Sequence, residues 1–309
     1  MRNAFADEIT ALAKENEKII LLSGDIGNRL FNVFKDTWPD RFYNCGVAEA
    51  NMTSMAAGMA LCGLHPVTYT IAAFNTVRCL EQIRVDVCYH NMPVVIVGVG
   101  AGLSYAGLGA THQSCEDITL LRALPNMTVI CPGDAVEVRL ALRAAIAYGK
   151  PVYIRLGKKG EPVVHKKQPL FEIGKGIVIH AGEHVCLLST GTMLSIVHEA
   201  AMQLEKKGVS AQVVSMHTVK PLDTAMLAES FARFDFVAAV EEHTLLGGFS
   251  GAIAEWIVAQ PPLKGKLLRF GTPDKFLHSS GNQQYARTMA GLTAEGIAAT
   301  ILNIIGHTP

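Results

Sequence analysis

An α/β protein of two doubly wound domains with mostly parallel sheets is what this sequence predicts, and three observations carry that reading. Short apolar runs alternate with longer helix-like segments along the chain. The runs at 93–99, 127–131 and 151–155 are apolar without alternation, which fits strands of a parallel sheet covered on both faces. A polar interval, 157–175, interrupts the pattern once, with Lys158-Lys159-Gly160-Glu161-Pro162, Lys166-Lys167 and Pro169. The expected division is therefore 1–165, a linker at 166–175, and 176–309.

Each element has a local reason. Residues 3–14 read as an amphipathic helix, and 18–23 as a strand that ends in Gly24-Asp25. A short strand at 42–45 leads to a helix that opens at Glu49. A strand at 65–71 and a helix at 76–90 follow, then the three apolar strands. In the second domain the expected strands are 185–189, 211–216, 236–240 and 266–270. The expected helices are 193–206, 223–231, 249–259 and 283–304. Alternation of this kind is the signature of βαβ units.

Composition narrows the function. Hydrophobic residues make up 50% of the 309 and charged residues only 17%, enough apolar material for two cores or large interfaces. Basic and acidic residues balance at 27 each, with no basic block, so nucleic acid is not an expected partner. Seven cysteines without a CxxC pair read as buried free thiols in a reducing compartment. No signal peptide is read at the start, and the apolar runs look too short to span a bilayer. The expected location is the cytoplasm, with no membrane partner.

Open parallel sheets bind ligands beyond the carboxyl ends of their strands. Asp25, Glu49 and the loop at 98–113 all fall at such ends. Glu49 stands in Gly46-Val47-Ala48-Glu49-Ala50-Asn51-Met52 and opens a run of small residues. A carboxylate there leaves water and needs a partner, although an acid at a helix start also suits the dipole. Glycines at 98, 100, 102, 107 and 109 let backbone approach a ligand. They do not complete a GxGxxG nucleotide motif with a following helix.

Four segments in order, Ser23-Gly24-Asp25-Ile26-Gly27, the Glu49 motif, Gly109-Ala110-Thr111-His112-Gln113 and Glu241-Glu242-His243-Thr244-Leu245-Leu246-Gly247-Gly248, give the chain a resemblance to a known family. Nearly end to end it is similar to the C-terminal half of a transketolase. It is also similar to 1-deoxyxylulose-5-phosphate synthase and to the beta subunits of 2-oxoacid dehydrogenases. The resemblance implies thiamine diphosphate as cofactor. It implies that Glu49 hydrogen-bonds the pyrimidine ring and favours its imino tautomer, which activates the thiazolium carbon. Asp25 matches an aspartate near the thiazolium, or else is a helix N-cap. Ile26 and Phe74 match residues that pack on the cofactor rings, although a lone Phe also suits a core. His112 matches the histidine that contacts substrate oxygens, a role that suits imidazole. Arg155 matches an arginine on the sugar phosphate, and Arg29 lies near another such position. Either is also readable as a salt-bridge residue. Arg78 stands near Phe74 without an assigned role.

Two departures from the family pattern matter. The family holds its metal through Gly-Asp-Gly followed by Asn, whereas here Gly24-Asp25 is followed by Ile and Gly133-Asp134 by Ala. The resemblance therefore implies a separate N-terminal subunit that carries that motif and brings Mg or Ca. It implies an α2β2 assembly with the site between chains. Leu108 stands where transketolases carry an aspartate for a substrate hydroxyl, and the region of Gly100 lacks a histidine. Loss of these polar groups implies a sugar unlike ordinary pentose phosphates, such as a deoxy, amino or branched one. The triplet Glu241-Glu242-His243 lacks the i, i+4 spacing of two helical metal ligands. The competing readings are a 2-oxoacid dehydrogenase beta subunit, a deoxyxylulose-phosphate-type synthase, and a non-catalytic scaffold of the same fold.

Overall fold

The computed structural model describes residues 1–27, 29–278 and 281–306. Strands β1 (Ile19–Ser23), β2 (Phe42–Asn44), β3 (His65–Ile71), β4 (Val95–Val99), β5 (Thr128–Ile130) and β6 (Val152–Leu156) lie parallel in one sheet. Alternate residues of β1 serve opposite cores. Ile20 and Leu22 join Met52, Ile83 and Ile96 on one face, while Ile19 and Leu21 join Phe5, Val97 and Ile154 on the other. That two-sided burial is why the strands read as unbroken apolar runs. Each such Leu or Ile contributes about 1.5–3 kcal/mol by leaving water.

Helices α1 (Arg2–Glu15), α2 (Asn32–Thr37), α3 (Glu49–Leu61), α4 (Ala72–Asn75), α5 (Leu80–Gln82), α6 (Asp117–Ala123) and α7 (Ala135–Tyr148) belong to this first domain. The helix expected at 76–90 is composite. A 3-10 turn at Val77–Cys79 precedes α5, and a π-helical stretch, Ile83–Tyr89, follows it. Such departures from regular helix are frequent at functional sites.

The second domain holds β7 (Ile177–His180), β8 (Val185–Ser189), β9 (Ala211–Ser215), β10 (Thr218–Lys220), β11 (Phe236–Thr244) and β12 (Lys266–Thr272). Helices α8 (Leu194–Glu205), α9 (Thr224–Arg233), α10 (Phe249–Val258), α11 (Gln283–Met289) and α12 (Ala294–Gly306) accompany them. Its sheet runs β12-β11-β8-β9-β7, with β7 antiparallel. Strand β10 leaves its own domain and pairs antiparallel with β5, so the first sheet runs β10-β5-β6-β4-β3-β1-β2. The core on that side continues from Ile96 and Val129 into Met216, Val219 and Phe231 of the second domain. A shared apolar core and a shared sheet join the domains firmly.

The apolar segment Gln283–Gly306 is long enough to cross a membrane by length and composition, contrary to the reading that no run was. In the fold it is two helices, and Leu292, Ile297 and Ile301 are fully buried in the second domain's core.

Candidate active site

The carboxyl ends of β1, β2, β3 and β4 deliver four groups to one rim. Strand β1 runs into Gly24-Asp25, and Glu49 begins α3 just beyond β2. At the end of β3 the chain turns into α4, which carries Phe74, and β4 opens the loop that carries His112.

Glu49 is buried, at 3% exposure, and its Oε2 accepts from Arg78 Nη1 at 2.7 Å. The guanidinium of Arg78 also lies 4.3 Å over the Phe74 ring, while the side chain as a whole is 42% exposed. Among the described residues Glu49 Oε1 receives no hydrogen bond. Beside it, Thr70 Oγ1 is buried without a partner. A Cβ at Gly24 would stand 2.7 Å from that hydroxyl and 3.6 Å from Glu49 Oε1, so glycine keeps the carboxylate and hydroxyl uncovered. Buried polar atoms are normally satisfied. Here the Thr70 hydroxyl is an exception, and the Glu49 carboxylate near it is linked to the Phe74 ring through Arg78.

His112 meets Phe74 edge to face at 5.1 Å between ring centres and faces Tyr105 at 6.2 Å. Its Nδ1 is 2.9 Å from Thr111 Oγ1, which leaves Nε2 for another partner. A Cβ at Gly100 would fall 1.9 Å from the Tyr105 ring, and Gly100 has φ of +73°. The Tyr105 ring thus packs directly on Gly100, and Leu108 nearby in the loop is 57% exposed. Lys158 Nζ sits 4.6 Å over that Tyr105 ring. Tyr105 and Lys158 escape sequence reasoning because they meet from separate turns, and Arg78, placed near Phe74 by the sequence, gains its partner Glu49 only in the fold. Near Arg78, burial pushes the Cys79 thiol up to about 11, so it is a neutral thiol rather than a nucleophile.

Asp25 is exposed and accepts from Asn44 Nδ2 at 3.2 Å. It does not cap a helix, since the next one begins at Asn32. Ile26 packs on the first-domain core, and exposed Arg29 carries no hydrogen bond or ion pair among the described residues.

The phosphate contact expected of Arg155 is not what the structure shows. Its side chain is 3% exposed, with Nε on Asp117 Oδ2 at 2.8 Å and Nη2 on the Ser114 and Glu242 carbonyls, both at 3.0 Å. Burial disfavours its charge, but Asp117 outweighs that and raises its pKa overall. Strand β6 is buried on both faces, so Arg155 points into the domain joint rather than to the rim. Around it, Tyr153 Oη donates to Asp117 Oδ2 at 2.6 Å, and Glu241 caps α10 through Phe249 N at 2.6 Å and Ser250 N at 2.8 Å. Among the described residues no three His, Cys, Asp or Glu side chains gather as metal ligands.

A cavity of about 650 Å³ lies behind the His112 loop, between Leu103 and Gln113 on one side and Phe276, Leu277 and Met289 on the other. Glu49 does not line it.

Comparison with known proteins agrees with this two-domain fold. Residues 1–161 match the transketolase pyrimidine-binding domain, and 174–301 match the transketolase C-terminal domain. The chain is 36% identical over 305 residues to a putative transketolase C-terminal section of Methanocaldococcus jannaschii, covering 98% of this chain and 95% of that one. It is 31% identical over 307 residues to one of the subunits of an apulose-4-phosphate transketolase from Phocaeicola vulgatus, covering 98% and 97%. A solved split-gene transketolase, an inactive beta4 tetramer, superimposes with a TM-score of 0.90 at 35% identity, covering 98% and 97%.

Proposed function

The chain belongs to the transketolase family, and from that premise we propose that it is the C-terminal subunit of a two-chain transketolase. Paired with an N-terminal subunit that carries the Gly-Asp-Gly…Asn motif and its Mg or Ca, it transfers a two-carbon ketol unit between sugars. The observation that carries this is the open half-site: Glu49 Oε1 without a hydrogen bond, the orphaned Thr70 hydroxyl and the Phe74 face. These residues fit the pyrimidine of thiamine diphosphate, a flat ring with hydrogen-bonding nitrogens. When bound, that cofactor supplies the carbon nucleophile that cleaves and remakes the carbon–carbon bond.

The chain's own residues divide the remaining work. Glu49 holds the ring and shares a proton with it, and Phe74 with Ile26 packs against the cofactor. Asp25, exposed at the end of β1, stands near the cofactor's thiazolium in this reading. His112 moves protons to and from sugar hydroxyls through its uncommitted Nε2. Lys158 and Arg29 are the cations that meet a sugar phosphate or a comparable anion.

Leu108 and the Tyr105 ring make the sugar side less polar than a pentose-phosphate site. The relative named for apulose-4-phosphate supports a modified-sugar substrate. The split-gene relative, inactive as a beta4 tetramer, supports partner-dependent activity in an α2β2 assembly. Cytoplasmic location is part of the same proposal, supported by seven free cysteines among the described residues.

The test is calorimetric titration of thiamine diphosphate with Mg²⁺, on the chain alone and mixed with the N-terminal subunit, followed by ketol-transfer assays. Binding and transfer only in the mixture are expected. Binding without transfer from any ketose donor would remove the transketolase activity.

A further inference from the structure

The His112 loop is held by the second domain, where no motif pointed to chemistry. The loop closes on itself through a bridge in which Gly102 N donates to Ser114 O at 2.8 Å and Ser114 N to Gly102 O at 3.0 Å. Both ends of that bridge are gripped from β11. Glu242, 1% exposed, accepts the Leu103 amide on Oε1 at 2.6 Å. Arg155 ties the Ser114 carbonyl to the Glu242 carbonyl, each at 3.0 Å. A Cβ at Gly102, where φ is +62°, would stand 2.6 Å from Glu242 Oε1, so only glycine admits the carboxylate.

Glu242 is itself fixed from behind. Gln283 Nε2 donates to both of its carboxylate oxygens, at 3.0 and 3.2 Å, and reaches Ser104 Oγ at 3.4 Å. Arg287 Nε pairs with Oε2, and Arg287 Nη2 donates to Thr192 Oγ1 at 3.2 Å. Packing alone supports the loop weakly. Leu103 and Ala106 share a small cluster with Ala286, and Leu103, Ala110 and Gln113 line the 650 Å³ cavity. The polar grip fixes Leu103 and Ser114, the two ends between which Tyr105 and His112 stand.

On the ketol-transfer reading given above, we propose that Glu242, backed by Gln283 and Arg287, is a positioning residue for the reaction. It presets the loop so that His112 lies against Phe74 before substrate arrives. A site whose groups are pre-placed spends less binding energy on ordering them.

The experiment uses the assembled two-chain enzyme with Glu242→Gln and, because that variant also strands Arg287 and strains the fold, with the milder Gln283→Met. Three quantities are read: cofactor affinity, kcat and KM for a ketose donor, and deuterium uptake by residues 102–114. Glu242→Gln is expected to raise KM about tenfold and to speed uptake in the loop about tenfold, with cofactor affinity held within about twofold. Gln283→Met should move both in the same direction by about threefold. Unchanged uptake in both variants would overturn the grip. Faster uptake with unchanged kcat and KM would overturn its role in the reaction. Absence of transfer by the wild-type assembly would instead remove the activity, and the uptake measurement would still report on the grip.

Discussion

Two buried carboxylates, each paired with an arginine, are finished differently. Glu49 meets Arg78 through one oxygen, leaves the other open, and its partner is nearly half in water. Asp117 meets Arg155 where both are sealed, and that arginine spends further donors on two carbonyls from separate domains. The first arrangement has room for a ligand, and the second has none. Asp117 too keeps an oxygen without a hydrogen bond, Oδ1, 3.9 Å from His243 Nε2, so an unfilled valence alone does not mark a ligand site; the half-exposed arginine beside Glu49 does, because it leaves a way in.

The contrast breaks most sharply at Glu49. Glu49→Gln in the assembled enzyme should lower kcat by about a thousandfold, within the range of lost proton-transfer catalysis, with the melting temperature little changed. Near-normal turnover would place the chemistry elsewhere. Stability should behave in the opposite way. Arg155→Met strands the Asp117 charge and should cost about 3–5 kcal/mol in urea unfolding, whereas Arg78→Met should cost less than about 1 kcal/mol. Equal losses would erase the distinction between the pairs.

A smaller effect tests the anion side. Lys158→Ala should raise KM for a phosphorylated sugar about tenfold and leave an unphosphorylated analogue unaffected, as expected for one lost charge-assisted contact. The smallest concerns His165, whose Nε2 lies 2.7 Å from Glu137 Oε1. Burial pulls its pKa down, but Glu137 outweighs that and the net shift is upward from 6.5. The stabilisation is thus fully present below pH 6.5 and fades as pH climbs through the raised value. Thermal melts of wild type and His165→Gln should converge between about pH 6 and pH 9; a gap that widens would reverse the sign.

Strands buried on two faces were legible because they leave unbroken apolar runs, as at 93–99 and 185–189, whereas the part-exposed edge strand β7 went unread. The same property hid the direction of Arg155. On β6 every neighbour is buried, so alternation gives no clue to which face the guanidinium takes. Strand β10 went unread because three residues, Thr218-Val219-Lys220, carry no periodicity, and its pairing is with the other domain. Glu49, Phe74 and His112 were legible through motif, and the structure does bring them into one chain of contacts by way of Arg78. The grip of Glu242 on Leu103 spans 139 residues of sequence, a distance at which local pattern is silent.

The excursion of β10 also limits how the chain can be dissected. Cutting at the linker would remove the strand that covers β5 and leave its backbone donors and acceptors bare along one border of the sheet. A bare border of that kind templates the next molecule, so the isolated fragment 1–165 would tend to form aggregates rather than a miniature of the first domain.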